Sequence, residues 1–79
     1  VLIDIVLRQV SDLSPGDELR TEYLSLLHSI LTTTNYSEYR HRHDELGKCL
    51  SRINEEEGPE VMKDQLIVNE IFNSFSGLF

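Results

Sequence analysis

Apolar residues recur at three- and four-residue intervals along four stretches of this chain, and short polar or turn-forming breaks separate them. The breaks are Ser14-Pro15-Gly16-Asp17, Thr32-Thr33-Thr34-Asn35 and Gly58-Pro59, with Gly77 near the end. No stretch alternates apolar and polar residues over the length of a strand. The first segment, about residues 1–12, carries Leu2, Ile3, Val6 and Val10 on helical spacing, with Leu7 widening the stripe. VLIDIVL alone also reads as a buried strand, but no other stretch offers it a pairing partner, so helix is the expectation. The second segment, about residues 15–32, is predicted to be capped by Ser14, with Pro15 in its first turn and Asp17 and Glu18 at the positive end of its dipole. Its predicted inner face is Leu19, Tyr23, Leu26, Leu27, Ile30 and Leu31, with Leu24 as a shoulder.

The third segment, about residues 36–56, follows Asn35, which stands three residues before Glu38 in the manner of a capping box. Tyr36, Tyr39, Leu46, Cys49, Leu50 and Ile53 form its stripe, interrupted by the wholly polar Arg40-His41-Arg42-His43-Asp44. Gly58 and Pro59 are predicted to end it. The fourth, about residues 60–76, presents Leu66, Ile67, Ile71, Phe72, Phe75 and Leu78, enlarged by Val61, Met62 and Val68. A helix apolar over more than half its circumference is expected to be covered on two sides. The pattern therefore predicts an all-α domain of four helices. Short connections favour antiparallel neighbours, arranged either as a bundle or as two hairpins of an armadillo- or HEAT-like stack.

Seventy-nine residues make a single small domain, and a chain that opens at Val1 rather than Met reads as a piece excised from a longer protein. One cysteine, Cys49, cannot form an internal disulfide, which points to a reducing, intracellular setting, cytoplasm or nucleus. No run approaches the roughly 20 apolar residues that cross a bilayer. The net charge of −7 is unevenly spread: −3 over residues 1–35, +1 over residues 36–54 and −5 over residues 55–79. Nucleic acid and anionic membranes need clustered cations and are not expected partners. The rival reading is a nucleic-acid-binding helical domain centred on Arg40, Arg42, Lys48 and Arg52. Alternatively, those cations pair with acids on neighbouring helical turns, Arg42 with Glu38 or Glu45 and Arg52 with Glu55 or Glu56.

Catalysis and metal binding find little support. His41 and His43 are two apart and diverge on a helix. His41 with Glu45 and Glu45 with Cys49 have ligand spacing, but nothing completes a site. Cys49 falls on an apolar face, where a thiol is inert, and the four glycines are scattered singly rather than gathered in a phosphate loop. Asn35-Tyr36-Ser37 is a formal glycosylation sequon, but the cap already explains Asn35. No enzyme, cofactor or metal is expected. The candidate partner-binding residues are instead Arg40, Arg42 and His43 on the polar interruption and Phe72, Phe75, Leu78 and Phe79 at the end of the chain. They suggest a protein-interaction module that docks a partner's amphipathic helix, or a second copy, in a groove lined by the second and fourth segments.

From Leu24 onward the order of features resembles the armadillo-type region of diaphanous-related formins. The matching features are Leu26-Leu27, then Tyr39-Arg40 with Arg42 and Glu45, then Gln65-Leu66 through Phe75 and Gly77-Leu78. The resemblance covers about two-thirds of the chain, with Cys49 where a glycine is expected before Leu50. It implies a protein-binding armadillo scaffold near a GTPase-regulated actin assembler, and it assigns no site residue. The last helix is also similar to that of integrase-binding-type domains of chromatin proteins.

Overall fold

The computed structural model describes residues 2–77, apart from the side chain of Tyr36; Val1, Leu78 and Phe79 lie outside the described residues. Helix α1 runs Leu2–Asp12, α2 Glu18–Thr33, α3 Tyr36–Tyr39, α4 His43–Asn54 and α5 Met62–Ser74. Single 3₁₀ turns occupy Arg40–Arg42 and Pro59–Val61. The first segment is a helix, and no strand occurs among the described residues, so the fold is all-α.

The turn before α2 differs from the sequence expectation. Asp17, not Ser14, is the N-cap: its carboxylate accepts the Leu19 backbone N–H at 2.9 Å. Ser14 instead starts a tight turn, its carbonyl accepting the Asp17 N–H at 3.1 Å. Pro15 and Gly16 are the two central residues of that turn, and Gly16 takes φ +86°, the left-handed conformation that a turn with Pro at its second position requires of its third. Helix α2 therefore begins at Glu18, three residues later than expected.

The third segment is not one helix. Asn35 caps α3 by accepting the Ser37 N–H at 3.4 Å, but the chain tightens into the 3₁₀ turn at Arg40–Arg42 and restarts as α4. The break falls in the polar interruption, where no apolar side chain holds a regular helix against the core. It lets Tyr39 point inward, 2% exposed, while Arg42 reaches out to α1. Gly58 at φ +121° lies in the loop after α4, and Pro59 opens the following 3₁₀ turn.

The side-chain contacts fix the directions of the helices. The grouping of Leu2 and Ile3 with Ile30, Thr33 and Thr34 makes α1 and α2 an antiparallel hairpin. Gln65 beside Ile53, and Phe72 beside His43, do the same for α4 and α5. Between the hairpins the sense is parallel: Asp4 meets Arg42 and Ser11 meets Cys49, while Arg20 meets Asp64 and His28 meets Phe75. The four long helices are thus two hairpins laid one on the other, α1 beside α4 and α2 beside α5.

The core between them is Ile3, Val6, Leu7 and Val10 of α1, Leu24, Leu27, Ile30 and Leu31 of α2, Tyr39, then Leu46, Cys49, Leu50 and Ile53 of α4 and Val68 and Ile71 of α5. The predicted stripes of α1 and α4 match it, except that Leu2 is exposed. Those of α2 and α5 are rotated. Leu24 is fully buried while Leu19 and Leu26 face solvent, and on α5 Leu66 and Met62 are exposed while Val61, Asp64, Val68 and Ile71 are buried.

Candidate functional site

Two charged residues occupy core positions. Arg20 is 1% exposed and Asp64 0%. Arg20 Nε donates to Asp64 Oδ2 at 2.7 Å, and its two terminal nitrogens fork onto Glu56, at 2.7 and 3.3 Å. Thr21 Oγ1 donates to the other Asp64 oxygen. Gln65 Nε2 donates to the carbonyls of Glu56 at 2.6 Å and Ile53 at 3.3 Å, covering the open end of α4. Burial pulls the Arg20 guanidinium down, but its hydrogen bonds to Glu56 and Asp64 and their charges outweigh that, leaving it above its ordinary value. Every buried side-chain polar atom of the described residues has a partner. This network joins α2, the loop after α4 and α5, and it holds the molecule together rather than facing a ligand.

The candidates from the polar interruption are spread out. Arg42 Nε donates to Asp4 at 2.7 Å and Nη1 to Glu45 at 2.8 Å, so it clasps α4 to α1 and is not an uncommitted cation. Those hydrogen bonds and charges, Asp4 first, hold it above its ordinary value. Arg40 is exposed on the 3₁₀ turn. His43 opens α4, its Nδ1 3.8 Å from the Asp44 carboxylate. The basic residues are interleaved with acids: Arg42 with Asp4 and Glu45, and Lys48 and Arg52 with Asp44 and Glu55 around one shallow groove. Phe72 and Phe75 are half-buried against the core, and Phe75 sits edge-on to His28 at 6.4 Å. Leu78 and Phe79 lie outside the described residues. A groove of about 480 Å³ brings together His43, Gly47, Lys48, Ser51, Arg52 and Phe72; of the expected site it unites only His43 and Phe72. It lies between α4 and α5. Among the described residues no three of His, Cys, Asp and Glu converge as metal ligands, and no helix is long and apolar enough to cross a membrane.

The exposed apolar side chains fall into a pattern the sequence did not reveal. Among the described residues the large exposed hydrophobics are Leu2 at 56%, Ile5 at 54%, Leu19 at 52%, Leu26 at 43%, Met62 at 60% and Leu66 at 69%. Their angular positions follow from 100° per residue. On α1, Leu2 lies opposite Asp4 and Ser11, the residues that meet α4, and Ile5 lies about 60° from Leu2 around the helix, away from the buried Ile3, Val6 and Val10. On α2, Leu19 and Leu26 lie opposite Thr21 and His28, which meet α5. On α5, Met62 and Leu66 lie opposite Asp64 and Ile71, which point back into the stack. All six therefore sit on the two outer ends of the stack: four on the first hairpin, two on the second. The first end continues into a groove of about 410 Å³ between the start of α1 and the end of α2, lined by Leu2, Ile3, Ile30, Thr33, Glu38 and Tyr39.

Two stacked helical hairpins with apolar side chains turned outward at both ends define an all-α domain whose open surfaces are helical faces. Residues 1–46 match the family model described as SPIN90/Ldb17, leucine-rich domain, and with 46 of its 79 residues matched the chain belongs to that family. The match covers the first hairpin, the α3 connection and the start of α4. Nine of the chain's twelve leucines lie in it, Leu2, Leu19 and Leu26 of the outward face among them.

Proposed function

We propose that this domain is a non-enzymatic protein-interaction module, a short armadillo- or HEAT-like stack that receives helices of another protein on its outer faces. The observation that carries this reading is the placement of the exposed large hydrophobics. Scattered single apolar residues on a surface need no explanation, but six confined to two opposite ends of a stack do. Helical-repeat proteins end in hairpins with polar outer faces, because an uncovered repeat surface is insoluble. The first hairpin ends instead in Leu2, Ile5, Leu19 and Leu26. The interior interface shows how such a face is satisfied, since α1 and α2 cover the matching side of α4 and α5. Membership in a leucine-rich domain family and the formin-like order of helices agree with a scaffold of this kind. Cys49, a buried free thiol, suits an intracellular setting.

Methyl NMR of the chain during titration with amphipathic helical peptides of differing charge tests the reading. The expected result is saturable shifts of the Leu2, Ile5, Leu19 and Leu26 methyls, with the core methyls of Leu24 and Leu27 little changed. Outer-face methyls that no helix shifts would sink it.

A further inference from the structure

We propose that the outer face of the first hairpin is selective for a basic amphipathic helix, one with a leucine-type stripe flanked by Lys or Arg. This deepens the interaction reading above and rests on it. The face is made by two antiparallel helices, with Leu2 and Ile5 exposed on α1, Leu19 and Leu26 exposed on α2, and a groove at the Leu2 end lined by Ile30.

The border of that groove gives the sign of the partner. Glu22 is exposed between Leu19 and Leu26, three residues from one and four from the other, so it shares their side of α2. Glu38 lines the end of the groove beside Leu2. The first hairpin has two bases. Arg20 is buried and spent on Asp64 and Glu56 of the second hairpin. Arg8 lies among Asp4 and Asp12 on the side toward α4. The apolar face is thus bordered by carboxylates along α2 and at its Leu2 end, Glu22 and Glu38. A helix with acids beside its apolar stripe would meet like charge there, and a helix with lysines would meet complementary charge.

The test uses two synthetic helical peptides of about 18 residues, roughly five turns, with the same leucine stripe and either Lys or Glu on the flanks. The Lys peptide is expected to bind at least about tenfold more tightly than the Glu peptide at low salt, with the gap narrowing as ionic strength rises from about 0.05 to 0.5 M. General attraction of a cationic peptide to a protein of net charge −7 predicts the same preference, so the variants decide. Leu19→Asp and Leu26→Asp each make the protein more negative. General attraction would tighten the Lys peptide, whereas docking on this face weakens it by about tenfold or more. Glu22→Lys should weaken the Lys peptide and improve the Glu peptide, while Glu57→Lys, the same charge change in the exposed loop after α4, leaves both unchanged. Circular dichroism of each variant checks that the fold is kept. Equal binding of the two peptides on this face overturns the selectivity and leaves the interaction reading standing; no binding of either overturns both. Tighter Lys binding by Leu26→Asp, or light scattering that shows a second copy of the chain already covering the face, also overturns the proposal.

Discussion

Arg20 shows how a charged residue is accommodated in a small core. Its side chain sits where an aliphatic residue would, with Asp64 at hydrogen-bond distance and Glu56 gripping the fork. The stripes themselves contain the clue. Arg20, Leu24, Leu27 and Leu31 fall on 4-3-4 spacing, and Val61, Asp64, Val68 and Ile71 on 3-4-3 spacing. An arginine in one core stripe and an aspartate in another point to each other, but only when the stripe is drawn through polar positions. Drawing it through the most hydrophobic ones tilted the expected faces of α2 and α5 toward Leu19, Leu26 and Leu66. Replacing Arg20 with Met strands Asp64 at 0% exposure and is expected to cost about 3–5 kcal/mol in urea unfolding. The double change Arg20→Met with Asp64→Leu should cost clearly less than the two single changes added together, because no buried charge is left unpaired. Additive losses would mean the two side chains are not coupled. Because Arg20 is held above its ordinary value, its contribution persists from neutral pH up to strongly alkaline solution and is lost only as pH rises through that raised value.

Helix periodicity was legible throughout, and some boundaries were legible where local chemistry decided them: Asn35 caps α3 and Pro59 opens the turn before α5, whereas α4 ends at Asn54, before the Gly58-Pro59 stop that the sequence suggests. It failed where two local solutions compete. Ser14 and Asp17 are both competent caps, and Pro15-Gly16 settles the choice by forming a turn with Gly16 at φ +86°. Gly16→Ala is therefore expected to destabilise by about 1–2 kcal/mol from the left-handed backbone alone. Its new Cβ would also press on the Glu60 Cβ at 3.2 Å. An unchanged melting temperature would mean that the turn relaxes freely. The rotation of α2 has its own check. Leu24→Ala, at a fully buried position, should cost about 2–5 kcal/mol, whereas Leu26→Ala, at 43% exposure, should cost within roughly 0.5 kcal/mol. Equal losses would restore the face expected from sequence. The outer-end site was the least legible feature. Knowing that Leu19 is exposed requires knowing where α5 lies, and that is a fact about the stacking of hairpins rather than about any one helix.

Neither hairpin is complete without the other. Val68 and Ile71 of α5 share one core with Leu24 and Leu27 of α2, and Leu46 and Cys49 of α4 share it with Leu7 and Val10 of α1. A chain of this size buries only about 60% of its unfolded surface, so a separated hairpin would keep too little covered apolar area to offset the entropy of ordering it. The parallel seams therefore fix cooperativity. One carries the buried Arg20 network, the other the half-exposed Arg42–Asp4 clasp. The domain is expected to unfold in urea as a single transition with a slope of about 1 kcal/mol per M, near the lower end for small proteins. The chain suits the test, because its three tyrosines, at 23, 36 and 39, all precede α4 and it has no tryptophan. Tyrosine fluorescence thus follows the first hairpin and the connection, while far-UV circular dichroism follows all the helices. The two curves should coincide in the native chain and in Arg42→Ala, which removes only a solvent-screened clasp. In Arg20→Met the anchor between α2 and α5 is gone, and both curves should move together to lower urea, because the shared apolar core leaves neither hairpin able to stand alone. A circular dichroism signal that falls before the tyrosine signal in Arg20→Met would show that the first hairpin outlasts the second and that the two are separate folding units.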